Sequence, residues 1–192
     1  SNIRIEVNLR LVSTVMKVAI VDTETTGTGS SDEIIEMAVV MLDYNSGDPQ
    51  IVWAHSALHD QGKKSCEEAL AIHGISDQER EGKIIPDALL NELQDAGLVI
   101  AHNAAFDRSM IGRTVAWSNE LPWRCSVRQI KWRRENVSFV SLTSLLEQYE
   151  IYRPKSHRAL DDALALAKLL TKRDHAGQTL MSQLMGSGNL VD

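Results

Sequence analysis

Three strand-like segments follow one another near the start of the chain, and they constrain its fold more than any other feature. Val18–Val21 is a short run rich in β-branched residues, and Ile34–Leu42 and Ile51–Ala57 have the length and composition of two further strands. Between the last two, Asn45–Pro49 reads Asn-Ser-Gly-Asp-Pro, which is a strong hairpin turn signal. The three segments therefore predict an antiparallel meander.

From Ser65 onward, helix signals alternate with strand signals. Ser65 with Glu68 three residues later forms a capping box, which predicts a helix that ends near Gly74. Further helices are predicted over Pro86–Ala96, Phe106–Val115, Ser141–Tyr149 and Ala159–Lys172, and short strands over Leu98–His102 and Trp123–Ser126. The order predicts an α/β fold with a mixed five-stranded sheet, an antiparallel meander plus parallel strands, flanked by helices.

The length of 192 residues suits one domain with a full hydrophobic core. Residues 1–16 are interpreted as an N-terminal extension, either an extra edge strand or a non-native addition, because polar and apolar residues alternate there and Met16 directly precedes the first strand. The domain is expected over residues 17–173. Residues 174–192 are expected to form a loose C-terminal tail, because they are rich in Gly, Ser and Asn.

Composition excludes several classes of protein. Apolar residues make up 43% and charged residues 24%, which is ordinary for a folded domain and unlike a disordered chain. No apolar run approaches the ~20 residues that cross a bilayer, and the N-terminus does not resemble a signal peptide. Two cysteines favour a reducing compartment, so we expect a cytoplasmic protein without a membrane partner. Both Cys66 and Cys125 are expected to be buried small apolar residues.

One basic segment interrupts an acidic chain. The formal net charge is −6, yet residues 124–158 contain eight Lys and Arg against three Asp and Glu. A solvated helix face is the simplest interpretation of such a segment, and contact with backbone phosphates is the alternative. Trp123 and Trp132 lie among these cations and would either stack on bases or pack in the interior, with the interior favoured for Trp123.

Carboxylates recur at the ends of predicted strands and the starts of predicted helices. Asp22 and Glu24 are two residues apart at the end of the first strand, so both point to the same face and repel each other unless a cation lies between them. Oxygen ligands favour Mg²⁺ or Mn²⁺ over zinc. Asp107 and Asp162 lie in first helical turns, where a carboxylate also has an ordinary role as a helix-dipole partner or cap.

Taken together, these segments resemble the DEDDh family of 3′→5′ exonucleases, whose fold is RNase H-like. The resemblance is carried by Asp22-Thr23-Glu24-Thr25-Thr26-Gly27, by His102 through Asp107, and by His157 with Asp162. Ile72-His73-Gly74-Ile75, with Glu68 five residues before His73, looks like the segment that holds the terminal nucleotide in the proofreading subunits of replicative DNA polymerases. The resemblance covers about residues 17–173.

The resemblance implies a catalytic set and a set of substrate contacts. Asp22, Glu24, Asp107 and Asp162 would bind two divalent cations, Mg²⁺ or Mn²⁺, and His157 would be the general base. Glu68 would accept from the 3′-hydroxyl group, and Phe106 would either stack on the substrate or belong to the core. The full set of implied substrate contacts is Thr25, Thr26, Gly27, Glu68, His73, Asn103 and Phe106.

The implied activity is hydrolysis at the 3′ end of DNA, single-stranded or frayed, with release of 5′-mononucleotides in proofreading or repair. An RNA-trimming exoribonuclease of the same family is the alternative. A polymerase-associated interaction module is a further alternative, in which the tail docks on a polymerase. Its docking stripe would consist of Leu180, Met181, Leu184, Met185 and Leu190, although a frayed or helix-packed tail is the more common arrangement.

Overall fold

The central strand of the sheet is apolar on both of its faces. The computed structural model describes residues 15–189, and strand β1 (Met16–Thr25) is fully buried from Val18 to Val21. Strands β2 (Ile34–Tyr44) and β3 (Gln50–Leu58) extend the sheet antiparallel to one side. Strands β4 (Leu98–Ala101) and β5 (Trp123–Cys125) extend it parallel to the other, giving the order β3-β2-β1-β4-β5. The predicted mixed five-stranded sheet is confirmed.

Helices cover both faces of this sheet. In chain order they are α1 (Glu67–His73), α2 (Asp77–Arg80), α3 (Asp87–Gln94), α4 (Ala104–Thr114), α5 (Ser126–Gln129), α6 (Leu142–Gln148), α7 (Ala159–Leu170) and α8 (Leu180–Met185), with short 3₁₀ helices at Ala116–Glu120 and Trp132–Glu135. Alternate residues of β1 face opposite layers, as the period of a strand requires. Val18 and Ile20 pack in the layer of α6, α7 and α8, whereas Ala19 and Val21 pack in the layer of α3 and α4.

The start of α1 differs from the predicted capping box. Cys66 is the N-cap, and its Sγ accepts from the Ala69 amide at 3.4 Å, so the assignment of Ser65 as the cap is wrong by one residue. Cys66 is exposed because the cap lies at the open end of the helix, which corrects its predicted burial. Cys125 is buried on β5, as predicted.

The C-terminal segment is folded against the domain, which corrects the prediction of a loose tail. Leu180, Met181 and Leu184 are fully buried in the layer of α7, and the buried carboxylate of Glu135 accepts from His175 Nδ1 at 2.7 Å and from the His175 amide at 2.8 Å. Burial of these apolar side chains outweighs the flexibility that the Gly, Ser and Asn content implies. The core of the predicted docking stripe is therefore unavailable to a polymerase.

Residues 1–14 and Leu190 lie outside the described residues, so the alternation near the N-terminus and the last residue of the docking stripe stay predictions. Across residues 15–189, no helix combines the length and the apolar character that a membrane span needs.

Candidate active site

Four carboxylates meet at the C-terminal end of β1. Asp22 and Glu24 alternate along the end of this strand, and Asp107 lies in the first turn of α4, which follows the neighbouring parallel strand β4. Asp162 lies in the first turn of α7, which packs across β1 and β2. Ligand atoms of Glu24, Asp162 and His157 all lie within 4.8 Å of one another. The sheet topology therefore brings together the residues that the sequence separates by up to 140 positions.

The carboxylates are poorly solvated and repel one another. Glu24, Asp107 and Asp162 are 9%, 4% and 7% exposed, and Asp22 is half-buried. Burial, followed by the charges of Asp107, Glu24 and Asp162, raises the pKa of Asp22 well above its ordinary value. Burial and the nearby carboxylates raise the pKa of Glu24 to about 8, and burial raises that of Asp107 to about 7. Without cations, carboxyl groups of this site therefore stay protonated at pH values at which free carboxyl groups are ionised.

Two contacts relieve part of this repulsion. The Thr23 hydroxyl donates to Asp107 Oδ1 at 2.8 Å, from the face of β1 opposite to Asp22 and Glu24. Arg153 Nη1 donates to Asp162 Oδ1 at 2.8 Å, and its Nη2 donates to Thr143 Oγ1 at 2.8 Å. Burial still raises the pKa of Asp162, although Arg153 and His157 oppose the shift. Arg153, predicted to contact phosphates, is instead held inside the site.

His157 stands at the open side of the carboxylate cluster, on the loop before α7. It is exposed and has a φ of 57°. The next residue, Arg158, donates from Nε and Nη2 to the buried carboxylate of Glu36, which also accepts from the Ala159 amide at 3.0 Å. Glu36 faces Glu24 across the β1–β2 pair. Glu36 therefore anchors the loop that carries His157.

Sequence reasoning missed Glu36, although a signal was present. Glu36 is an acidic residue among apolar residues in a strand that is buried along most of its length, and it is only 3% exposed. A buried carboxylate needs a cationic or amide partner. Arg158 is this partner. The sequence predicted that Arg158 faces outward, but it pairs with Glu36 instead.

A cleft of about 380 Å³ lies beside the carboxylates. Five of the predicted substrate contacts line it, namely Thr25, Gly27, Glu68, His73 and Phe106. Cys66, Ala69 and Ile72 also line it and were not predicted. His73 is 2% exposed, its Nδ1 accepts from the Ile75 amide at 2.9 Å, and its ring also interacts with the backbone of Thr25. Burial lowers the pKa of His73, which favours the neutral ring.

Two other predicted contacts lie elsewhere. Thr26 is fully buried, and its hydroxyl donates to Asp32 at 2.8 Å and accepts from the Glu33 amide at 3.0 Å, so it holds the turn together. A Cβ atom on Gly27 would lie 2.6 Å from the same Asp32 carboxylate, which explains the glycine in this turn. Asn103 is exposed at the start of α4, outside the lining of the cleft.

The basic segment is divided between the interior and the surface. Arg124 Nε donates to the Leu184 carbonyl at 3.1 Å, so this cation supports α8. Trp123 and Trp132 are 1% and 4% exposed, and their indole nitrogens donate to the carbonyls of Ser118 and Ser126. Interior packing is therefore confirmed for Trp123, and stacking on bases is wrong for both tryptophans.

The donor set suits hard divalent cations. All four carboxylates offer oxygen atoms only, and their mutual repulsion is unfavourable unless positive charge is added. The only nitrogen ligand within reach of Glu24 and Asp162, among residues 15–189, is His157. This composition favours Mg²⁺ or Mn²⁺ over a zinc site built from His and Cys.

The family assignment follows from comparison with known proteins. The family model RNase_T, described as exonuclease, matches residues 19–170. The chain therefore belongs to this family of exonucleases, and the resemblance to DEDDh enzymes with an RNase H-like fold is confirmed. Enzymes of this family are exonucleases, which hydrolyse nucleic acids from an end.

Individual relatives agree with this assignment. DNA polymerase III PolC-type of Thermotoga petrophila is 29% identical over 185 residues, which is 90% of this chain and 13% of the polymerase, so the chain spans only a small part of that relative. The structure of exonuclease X in complex with 5′ overhanging duplex DNA is 26% identical with a TM-score of 0.61, and the match covers 80% of this chain and 89% of that one. The nuclease domain of 3′hExo, a DEDDh family member bound to rAMP, is 18% identical with a TM-score of 0.59, over 83% and 92% of the two chains.

The raised pKa values predict how stability depends on pH in the absence of metal. The pKa of Glu24 is about 8 in the folded state, against an ordinary 4.5, so the folded chain binds an extra proton between these values and loses stability as the pH rises toward 8. We expect Glu24→Gln, in a chelator, to stabilise the protein at pH 8 by on the order of 1–3 kcal/mol and by less at pH 5.

Thermal unfolding of both proteins at the two pH values measures this difference, and Glu147→Gln on the exposed face of α6 is the control. A metal-free protein whose stability does not fall between pH 5 and pH 8 would contradict the account of the carboxylate cluster.

Proposed function

We propose that this chain is a divalent-cation-dependent exonuclease that removes 5′-mononucleotides from the 3′ end of DNA, with single-stranded or frayed ends preferred, in proofreading or repair. The observation that carries the proposal is the meeting of Asp22, Glu24, Asp107 and Asp162 with His157, beside a cleft large enough for a nucleotide. Each of these residues has a separate part in the reaction.

The four carboxylates are the residues that would hold two Mg²⁺ or Mn²⁺ ions. When bound, such a pair of cations stabilises the charge on the attacking and leaving oxygens of a phosphodiester. Glu24 and Asp162 lie beside His157, and the charges of Asp107, Glu24 and Asp162 all act on Asp22. Asp22 therefore interacts with each of the other three carboxylates and would hold the ions together with them.

His157 is the general base of the proposed reaction. It is exposed to the water that must be activated, and its ring lies within reach of Glu24 and Asp162. An imidazole accepts a proton near neutral pH, and one that reaches the nucleophilic water can deprotonate it. Because the Arg158–Glu36 pair fixes the adjacent backbone, the ring is held at this position without being buried.

The cleft receives the terminal nucleotide. The turn at Thr25 and Gly27 lies against it, and the exposed carboxylate of Glu68 is available to accept from the 3′-hydroxyl group. Ile72 and Phe106 supply apolar surface for the sugar and base. His73 forms part of the cleft wall, where its buried ring lies against the backbone of Thr25 and supports the turn.

The choice of DNA is supported by two observations. Glu68 and His73 both line the cleft, as expected for the segment that resembles proofreading subunits, and the chain is similar to a polymerase of the PolC type. The rAMP bound to the 3′hExo nuclease domain keeps RNA as the second candidate substrate. Contact with a polymerase through the tail is no part of the proposal, because Leu180, Met181 and Leu184 of its apolar stripe are buried. The domain boundaries and the cytoplasmic location stay predictions.

The proposal predicts the products from substrates labelled at the 5′ end. Purified protein with Mg²⁺ should produce a ladder that shortens from the 3′ end, faster on single-stranded DNA than on duplex DNA or on RNA of the same sequence. Asp162→Asn should lower the rate at least about 100-fold, because it removes one of the charged metal ligands. Its neighbour Asp161 is the matched control, and Asp161→Asn should retain activity.

The outcome on RNA separates the two candidate substrates. Faster cleavage of RNA than of DNA would replace the proposed substrate, and a ladder that begins at the 5′ end would contradict the proposed polarity. Equal activity of the two aspartate variants would contradict the assignment of Asp162 to the site.

The anchoring of His157 predicts a further effect on the rate. Glu36→Gln keeps the shape of the side chain and removes its charge, which weakens the pairing with Arg158. We expect kcat to fall roughly 10- to 100-fold, as for other residues that orient groups at metal sites. Glu147→Gln, on the exposed face of α6 and away from the loop, is the control. An unchanged kcat in Glu36→Gln would show that the loop does not need this anchor.

A further inference from the structure

We infer that the DNA strand leaving the active site passes over Phe139 and Tyr152 and then along a cationic groove formed by residues 127–134. This inference rests on the proposed function, because it concerns the nucleotides on the 5′ side of the bond that is cut. The occupant is a single strand of DNA with unpaired bases.

Phe139 and Tyr152 are unusually exposed for aromatic residues. They are 73% and 78% exposed, whereas Trp123 and Trp132 in the same part of the sequence are buried. Neither ring packs against another aromatic ring among the described residues. Exposed aromatic faces beside a cationic groove are the usual platform for unpaired bases.

Both aromatic residues are tied to the active site through their neighbours in sequence. Tyr152 directly precedes Arg153, whose guanidinium contacts Asp162 and Thr143. Phe139 directly precedes Val140, whose carbonyl accepts from His102 Nε2 at 2.7 Å. His102 in turn follows β4 and begins the segment that leads to Asp107. The backbone next to each ring is therefore tied to an element of the active site.

A cationic groove continues from Phe139. Its volume is about 560 Å³, and Val140 forms part of its lining together with Arg128, Lys131, Arg133 and Arg134. All four cationic residues are exposed. Within residues 15–189 their side chains have no hydrogen-bond or ion-pair partner, unlike those of Arg124, Arg153 and Arg158. The groove therefore presents four positive charges that the fold itself does not use.

The groove begins at the same edge of the sheet as the active site. Strands β1, β4 and β5 are parallel neighbours, and their C-terminal ends lead to Asp22 and Glu24, to His102 and to the groove, in that order. Two strand spacings, roughly 10 Å, separate the ends of β1 and β5. A strand only a few nucleotides long can reach from the cleft to the groove.

Charge complementarity selects nucleic acid over other occupants. The chain as a whole carries a net charge of −6, so bulk attraction for a polyanion is absent, and the groove is a local exception. Phosphates satisfy the cations while bases stack on the exposed rings, which uses both features at once.

Binding of a 5′-fluorescent DNA strand of about eight nucleotides tests the inference, since single-strand sites span roughly 4–16 nucleotides. The protein carries Asp22→Asn, so the strand stays intact, and fluorescence anisotropy gives the Kd. Phe139→Ala and Tyr152→Ala should each raise the Kd by about 5- to 100-fold, the loss of one stacked base. Ile84→Ala, at a site that is 75% exposed on the loop before α3, is the control and should change nothing.

The cations are tested by the salt dependence of the same binding. Changing both Arg133 and Arg134 to Ala should reduce the slope of log Kd against log salt by about 1.4, because each phosphate contact on a single strand contributes about 0.7. The matched control changes Lys168 and Lys172 to Ala, which removes the same charge in the last turn of α7 and just after it.

Two outcomes would overturn the inference. One is a Kd that stays within about twofold of the parent in both aromatic variants. The other is tighter binding of a polyglutamate peptide than of the DNA strand, with loss of the peptide in the same variants, which would make an acidic protein the occupant. Binding that depends on Phe139 and Tyr152, in a protein whose wild-type form hydrolyses no substrate, would support the strand path and contradict the proposed function.

Discussion

The electrostatic repulsion among the carboxylates at the end of β1 governs the rest of this structure. Asp22, Glu24, Asp107 and Asp162 are held in surroundings that raise the pKa of each, so the metal-free site carries an unfavourable energy. A strand buried on both faces supplies the rigidity that keeps Asp22 and Glu24 in place, and two helices bring the other carboxylates to them. Binding energy for divalent cations is thereby built into the fold.

The fold assigns different kinds of element to different tasks. The carboxylates lie on a strand and in first helical turns, where backbone hydrogen bonds limit their movement. His157 lies on a loop in contact with water, and the buried Glu36–Arg158 pair fixes that loop from behind. Arg153 supplies positive charge to Asp162 from the same segment. Cations of the basic segment thus serve two purposes: some organise the site, whereas others remain exposed in the groove.

Much of this arrangement was predictable because periodic patterns and strand ends are local features. The antiparallel meander, the mixed sheet and the position of Asp22 and Glu24 at a strand end follow from them. The roles of Asp107, Asp162 and His157 came from the resemblance to the DEDDh family, as did the seven predicted contacts, of which the cleft contains five. Ion pairs between residues distant in sequence were not predictable. The sequence alone indicated that Arg153 and Arg158 are surface cations, whereas in the fold Arg153 pairs with Asp162 and Arg158 pairs with Glu36. The Gly and Ser content of the C-terminal segment predicted a loose tail. This prediction was wrong for α8, because its packing is determined by three buried apolar side chains. Ser65 and Cys66 differ by one residue, which is within the uncertainty of any helix end.

The central claim is that this carboxylate cluster binds a pair of divalent cations. Titration of the chelator-treated protein with Mn²⁺, in the presence of thymidine 5′-monophosphate, counts the bound ions by calorimetry or by the loss of the free-ion spin-resonance signal. The account predicts two ions per chain in the wild type and a loss of tight binding in Asp22→Asn, because Asp22 interacts electrostatically with the other three carboxylates. Ion binding that is unchanged by Asp22→Asn would contradict it.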